Sequence, residues 1–324
     1  MEKVDTLHGF EKIKILSDVN RMRILRLLMS EPYTLSQLGT IMGNTPAWVR
    51  HHIKILESAG LIEVQEQRIT GRVREIYYRA ISSAILLQDL ILPKTTKPII
   101  IFSGSHDTAI EHISSKLSKH VTMLSLPVGS LDGLVNLRQG LCHIAGAHLL
   151  DRDGEYNTPF VRHFFPDRAV TMITLAYRTQ GLILQQGNPK GIHSISDLAR
   201  PDVFFLNRNP GSGTRLWFDR ELDDLGIPGE VIKGYWKYVM THNESADAVK
   251  NGWADATLGI QAAATERNNH FIPLFEERYD LVIPASDITR VTPMLEYLQT
   301  ATFRKRMSML TGYSTQHSGE EVAV

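Results

Sequence analysis

Apolar residues recur every three or four positions through the first sixty residues. Leu7, Phe10, Ile13 and Leu16 form one helical stripe, and Met22, Ile24, Leu25, Leu27 and Leu28 form the next. Thr34-Leu35-Ser36-Gln37 opens a short helix with Leu35, Leu38 and Ile41 inward, and Gly43-Asn44 makes a turn. Thr45-Pro46 starts another helix, with Thr45 as N-cap and Pro46 at the first helical position. Val49, Ile53 and Leu56 are its inward face, and Gly60 ends it. The period then changes to two: 62–67 and 74–79 alternate like strands around a turn at Thr70-Gly71. The apolar run 81–92 predicts a further helix, and Pro93-Lys-Thr-Thr-Lys-Pro98 breaks it as a linker. From 99 the grammar is different. Short apolar runs at 99–102, 121–126, 141–145 and 203–206 alternate with helical stretches, which predicts an α/β region with a parallel sheet. One such unit spans about 98–175 and a second about 178–275, with a returning strand at 279–284 and a terminal helical region at 295–310. The domains expected are therefore 1–92, a linker at 93–98, a two-lobed α/β region at 99–314 and a flexible tail at 315–324.

Helix, helix, turn, helix, hairpin is the winged helix-turn-helix order, in which the second helix of the pair enters the major groove. Thr45, Trp48, Arg50, His51, His52 and Lys54 are read as the DNA-facing residues of that helix, and Arg68, Arg72 and Arg74 as those of the wing. Such cations hold phosphates, giving affinity and position. The stretches Ser17-Asp18-Val19-Asn20-Arg21-Met22-Arg23-Ile24-Leu25 and Val49-Arg50-His51-His52-Ile53-Lys54-Ile55-Leu56-Glu57-Ser58-Ala59-Gly60-Leu61-Ile62 resemble the ArsR-type winged-helix family over about residues 5–80. The resemblance implies a homodimer, for which the helices at 7–16 and 81–92 are the candidate interface. The metal-sensing branch of the family carries a Cys-x-Cys pair where this chain has Leu35-Ser36-Gln37-Leu38. Adjacent His51 and His52 point about 100° apart on a helix and make a poor chelating pair. No metal site is expected.

The most informative turn lies farther on. Asn207-Arg208-Asn209-Pro210-Gly211-Ser212-Gly213-Thr214-Arg215 follows an apolar run and precedes a helix. Free N–H groups at a helix start, two hydroxyls and a guanidinium are the means of holding an anion without a metal; an ordinary capped turn is the other reading. Arg208 through Thr214 matches the Arg-x-x-x-Ser-Gly-Thr loop of tungstate binders. Ala246-x-x-Ala-Val-x-x-Gly252-x-Ala-Asp255-Ala-x-x-Gly259 matches their helix–strand unit, and Gly187-Asn188-Pro189 and the stretch from Phe303 to Gly312-Tyr313 add to the likeness. Over about 98–314 the chain resembles the type II periplasmic binding proteins for molybdate and tungstate. His143-Ile-Ala-Gly146-Ala-His148-Leu-Leu-Asp151 and Gly154-Glu-Tyr156-Asn157 resemble the cytoplasmic members joined to helix-turn-helix domains and to molybdenum-cofactor enzymes. The first loop departs from the pattern: Ser103-Gly104-Ser105-His106-Asp107 replaces a run of Thr and Ser, and Asp107 is expected to cap the following helix.

The ligand candidates are Ser103, Ser105 and His148 from the first lobe and Arg208, Ser212, Gly213 and Thr214 from the second, followed by Tyr156, Asn157, His242 and Asn243. A buried histidine satisfied by a carbonyl remains the other reading of His148, and turn chemistry that of Tyr156 and Asn157. Lys+Arg and Asp+Glu balance at 35 each, so whole-chain charge selects no partner. No apolar run approaches the ~18 residues of a membrane span, the N-terminus lacks a signal-peptide layout, and the single Cys142 fits a reducing cytoplasm. Neither a nucleophile elbow, a His-Glu-x-x-His pair nor a P-loop is present, so no enzyme is expected. The expected function is a cytoplasmic, DNA-binding transcriptional regulator that needs no cofactor. Its effector, as the resemblance implies, is molybdate, tungstate or a molybdenum-cofactor-related compound. Another small anionic metabolite, or a metabolite-binding protein that does not bind DNA, is the alternative.

Overall fold

The computed structural model describes residues 4–7, 9–70, 73–105 and 107–324. The chain divides into two compact units, Met1–Pro93 and Lys94–Val324.

The first unit runs β1 (Val4–Leu7), α1 (Phe10–Ile15), α2 (Val19–Ser30), α3 (Leu35–Met42), α4 (Pro46–Ser58), β2 (Ile62–Thr70), β3 (Val73–Ala80) and β4 (Ala84–Leu87). Side chains set the starts of α2, α3 and α4. Asp18 accepts from the N–H groups of Asn20 and Arg21, Thr34 and Gln37 form a reciprocal capping box, and Thr45 caps α4 at Trp48 N–H. Ile24, Leu25, Leu28, Leu38, Val49, Ile53 and Leu56 close one core beneath α2, α3 and α4. β2 and β3 pair antiparallel as the wing, with Arg68 opposite Glu75. The helix expected at 81–92 is not there. Ala84–Leu87 is instead an extended strand that pairs in parallel with Val4–Leu7, and residues 88–98 carry neither helix nor strand. Ala-Ile-Leu-Leu is a contiguous apolar run with no polar face, and it satisfies its backbone against β1 rather than within itself.

The second unit runs β5 (Ile99–Gly104), α5 (Thr108–Leu117), β6 (Thr122–Pro127), α6 (Ser130–Arg138), β7 (Ile144–Ala147), α7 (Thr158–Phe164), β8 (Val170–Leu184), β9 (Phe205–Arg208), α8 (Gly213–Asp224), β10 (Tyr238–Val239), α9 (His242–Lys250), β11 (Ala256–Ile260), α10 (Gln261–Glu266), β12 (His270–Pro284), α11 (Ile288–Leu298), α12 (Ala301–Met307), β13 (Tyr313–Ser314) and β14 (Glu321–Val322). One mixed sheet runs β10-β9-β11-β8-β12-β7-β5-β6. β8 and β12 are each 15 residues long and pair antiparallel, from Leu184 with His270 to Val170 with Pro284. They cross from one lobe to the other. Parallel β5, β6 and β7 build lobe one on one end of this pair, and β9, β10 and β11 build lobe two on the other. Helices cover both faces of each lobe. Ile100, Phe102, Ile113, Leu281 and Phe303 form one core of lobe one, and Leu134, Leu137, Ala145 and Met172 form the other. Leu182, Phe205, Phe218 and Leu258 centre lobe two. The tail expected to be flexible is part of the fold. Glu321–Val322 pairs with β8, Thr174 N–H donates to Glu320 O at 2.9 Å, and Ser318 Oγ donates to Leu175 O at 2.5 Å.

Candidate anion site and DNA-facing surface

Each lobe brings strand ends and helix starts to the line where β8 and β12 cross. In lobe one, β5 ends in Ser103, Gly104 and Ser105. Asp107 caps α5, accepting from Ala109 N–H at 2.7 Å, as its position predicts. Ser103 Oγ receives Asn136 Nδ2 at 3.0 Å and reaches Leu126 O at 3.4 Å, so it is spent inside the lobe. Ser105 Oγ lies 2.9 Å from His148 Nε2 and 3.5 Å from Ser130 Oγ, and Ser130 Oγ accepts from His148 N–H at 3.2 Å. Ser130 was not among the sequence candidates.

In lobe two, Arg208 ends β9 and Ser212 caps α8. Ser212 Oγ accepts from Arg215 N–H at 3.2 Å and donates to Asn209 O at 2.9 Å. Gly213 and Thr214 open α8, and Thr214 Oγ1 accepts from Gln180 Nε2 at 3.1 Å. The Arg208 guanidinium donates to His242 Nδ1 at 2.6 Å and to Met240 O at 2.9 Å. His242 opens α9 and is buried; Asn243 follows it, half-buried.

The two lobes touch here. Leu131 N–H donates to Gly211 O at 3.2 Å, and Arg220 donates to Asp151 O at 2.7 Å. Glycine makes the contact possible. A Cβ on Gly213 would stand 2.3 Å from His148 O and 2.5 Å from its Nδ1, and one on Gly129 would stand 2.5 Å from Gly211 C.

The crossing strands supply the floor, which sequence reasoning missed. Arg178 and Gln180 share one face of β8, and Glu277 lies directly opposite Arg178 on β12. The Arg178 guanidinium bonds Asp107 Oδ2 at 2.6 Å and Glu277 Oε1, and lies 4.1 Å over the Tyr279 ring. Gln180 Nε2 donates to Glu277 Oε1 at 2.9 Å. His148 Nδ1 lies 2.7 Å from Glu277 Oε2. Tyr313 O–H donates to Asp107 at 2.6 Å.

Burial alone would raise the Glu277 carboxyl, yet Arg178 and His148 outweigh it and hold it at about 2. Burial and the neighbouring guanidinium groups push His148 down, against the pull of Glu277. Arg208 differs from Arg178. Burial first, and the charge of Arg178 second, bring it down to about 10. Among the described residues no carboxylate lies within ion-pairing distance of it, and its buried Nε has no hydrogen-bond partner. It is a buried cation whose partners among the described residues, His242 and Met240 O, are uncharged acceptors at the start of α9 and before it.

Two candidates have other tasks. Both polar atoms of the Asn157 side chain are used: Oδ1 accepts from Leu149 N–H at 2.7 Å, and Nδ2 donates to Ala147 O at 3.1 Å and to Asp280 at 2.8 Å. With φ at 60°, Asn157 locks β7 to β12 and is not a ligand donor. Tyr156 O–H donates to Glu276 O at 3.1 Å.

On the first unit, Thr45, Arg50, His51 and Lys54 are exposed along α4 and Trp48 is half-buried. His52 is not DNA-facing. It is buried, with its ring edge on Trp48 at 4.2 Å between centroids, because one helical turn carries it to the side of Val49 and Leu56. On the wing, Arg68 pairs with Glu66 and lies over the Tyr77 ring, and Arg74 donates to Gln67. Arg72 lies outside the described residues.

Comparison with known proteins gives two matches that divide the chain as its fold does. Residues 18–64 match the bacterial regulatory proteins of the arsR family, and residues 111–299 match the PBP superfamily domain. YvgK of Bacillus subtilis, an uncharacterized protein, is 34% identical over 230 residues, covering 70% of this chain and 74% of YvgK. An uncharacterized Clostridium pasteurianum protein from the region 5′ of a 2Fe-2S ferredoxin gene is 30% identical over 110 residues, 33% of this chain and 97% of its own. A Clostridium perfringens protein described as a phosphate ABC-transporter substrate-binding protein, solved with bound phosphate, superposes with a TM-score of 0.50 at 13% identity, covering 70% of this chain and 99% of that one.

Proposed function

Since the chain belongs to the PBP superfamily and carries an ArsR-family helix-turn-helix domain at its N-terminal end, we propose that it is a one-component transcriptional regulator whose second unit senses a small oxyanion. The observation that carries the ligand class is Arg208: a fully buried guanidinium at the start of α9, with no carboxylate in ion-pairing distance among the described residues. An oxyanion bridging Arg208, Gly213 N–H and Thr214 on one lobe and Ser105 and Ser130 on the other holds the cleft shut, because it needs donors from both. Molybdate and tungstate are the first ligands to test, then a molybdenum-cofactor-related compound, as the Arg-x-x-x-Ser-Gly-Thr loop implies. The first unit binds operator DNA as a homodimer through α4, in the cytoplasm where that DNA lies. No catalytic step is assigned to either unit.

Thermal unfolding in the presence of molybdate, tungstate, sulfate, phosphate and a pterin tests the ligand. At ~100 times its dissociation constant the effector stabilises by ~2.7 kcal/mol. Arg208→Ala abolishes that shift. Stabilisation by none of the four oxyanions contradicts the ligand class, and an undiminished shift in the variant contradicts the site.

A further inference from the structure

The charge balance around His148 sets a condition on what enters the cleft. Three charged side chains act on it, Glu277 on β12, Arg178 on β8 and Arg208 on β9, and Asp107 at the start of α5 joins them through Arg178; all four are at most 1% exposed. Tyr279 on β12 and Tyr313 on β13 join the cluster as neutral phenols, which burial keeps far above their ordinary range. Ser130 of α6 and Gly213 of α8 complete the surroundings without charge. Two guanidinium groups stand against two carboxylates, so with a neutral imidazole the cluster carries no net charge. A fully ionised dianion brings two negative charges into this dry space, which is costly without compensation. Glu277 offers no relief: Arg178 and Gln180 share Oε1, and His148 stands against Oε2. The guanidinium groups are already protonated. Both Asp107 oxygens are engaged, by Arg178, Tyr313 and Ala109 N–H. A proton on His242 would set a second cation 2.6 Å from the Arg208 guanidinium, whereas one on His148 faces the Glu277 carboxylate at 2.7 Å, so His148 is the group placed to gain a positive charge.

We propose that a fully ionised oxyanion binds this site together with one proton, carried on His148; the inference rests on the oxyanion reading of the same cleft. The geometry shows how the proton is used. In the free protein burial keeps the imidazole neutral; with its hydrogen on Nδ1, facing Glu277 Oε2 at 2.7 Å, Nε2 accepts from the Ser105 hydroxyl at 2.9 Å. A proton taken from solvent onto Nε2 turns this bond round. The ring now donates to Ser105 Oγ, and the Ser105 hydroxyl hydrogen is freed toward the cleft, where it meets the anion. The new imidazolium lies 2.7 Å from Glu277 Oε2 and against Gly213 at the start of α8. The complex then holds one excess negative charge instead of two.

The sign of the pH dependence follows. Bound anion raises the affinity of His148 for its proton, so ligand affinity is greatest at low pH. It is lost as pH rises between the free and bound titration points, about tenfold for each pH unit. A ligand that brings its own exchangeable proton, such as hydrogen phosphate, draws less from solvent.

Isothermal titration calorimetry on the full chain tests this, with sodium molybdate and sodium tungstate in two buffers of unlike ionisation enthalpy at about pH 8. The buffer dependence reads the protons directly. The wild type takes up about one proton per anion, with affinity weakening about tenfold per pH unit, and His148→Gln binds with no buffer dependence. Binding without proton uptake by the wild type overturns the inference and leaves the oxyanion reading standing; this arm does not depend on the variant's folding. Undiminished uptake by His148→Gln overturns the assignment to His148. No binding of either salt overturns the oxyanion reading, and this inference with it.

Discussion

Arg178 and Arg208 carry the same charge in the same cluster and do opposite things. Arg178 is held by Asp107, Glu277 and the face of Tyr279, and so fixes the crossing of β8 and β12. Removing one partner of such a buried set leaves an uncompensated charge, at a cost of about 3–5 kcal/mol. Asp107→Ala is therefore expected to lower stability in urea by that order, with some of the loss due to the α5 cap; a variant within ~1 kcal/mol of wild type contradicts the account. Glu277 adds a pH dependence. Its carboxyl lies at about 2 against an ordinary 4.5, so its contribution is complete above the unfolded value and disappears as pH falls from 4.5 toward 2. Stability measured across that window should fall steeply in the wild type and less in Glu277→Gln; parallel curves contradict this. Gly213→Ala probes how closely the lobes approach. Its Cβ meets backbone at 2.3 Å, which cannot yield as a flexible side chain does. Overpacking of this kind costs about 1–3 kcal/mol, here charged to the closed cleft, so the thermal shift on molybdate should shrink while the free protein keeps its circular dichroism.

At the scale of elements, α4 is the proposed operator surface and β8 with β12 the floor of the proposed ligand site. Replacing Arg50 and Lys54 together with Ala is expected to weaken DNA binding and lower the slope of log affinity against log salt by about one for each phosphate that is no longer neutralised. An unchanged slope places the DNA surface elsewhere. The helices of the first unit were legible because capping residues and apolar stripes agree: Thr34 with Gln37, Thr45 with Pro46, Val49 with Ile53. His52 was misread because its neighbours on the polar face are charged, and only packing reveals that Trp48 covers it. The run 81–92 is apolar without period, which leaves helix and strand undistinguished until β1 supplies a partner. In the second unit the Ser212-Gly213-Thr214 turn was visible because its chemistry is local. Ser130 follows the same strand–turn–helix grammar and was within reach. Arg178, Gln180 and Glu277 were not. A charged residue in the middle of a long strand looks solvent-facing in a sequence, and the Glu276-Glu277-Arg278 run looks like a surface; only the cross-strand register brings Glu277 to Arg178.

For the whole molecule, the proposed function requires that a ligand shutting the cleft of one unit change how the other unit meets DNA. Coupling requires that the anion bind the closed and open clefts differently, and that the two states differ in DNA affinity. A coupling of ~1–3 kcal/mol is typical, which is about 5–150-fold in DNA affinity. Arg208 lies buried in the proposed ligand site of the second unit, and the exposed cations of α4 belong to the first unit. The most direct measurement is fluorescence anisotropy of labelled DNA from upstream of the protein's own gene, titrated with wild type and with Arg208→Ala, each with and without molybdate. The account predicts that molybdate changes the wild-type DNA affinity by a factor in that range, and that Arg208→Ala binds DNA as tightly as the free wild type and does not respond. A variant that still responds at the wild-type molybdate concentration contradicts it.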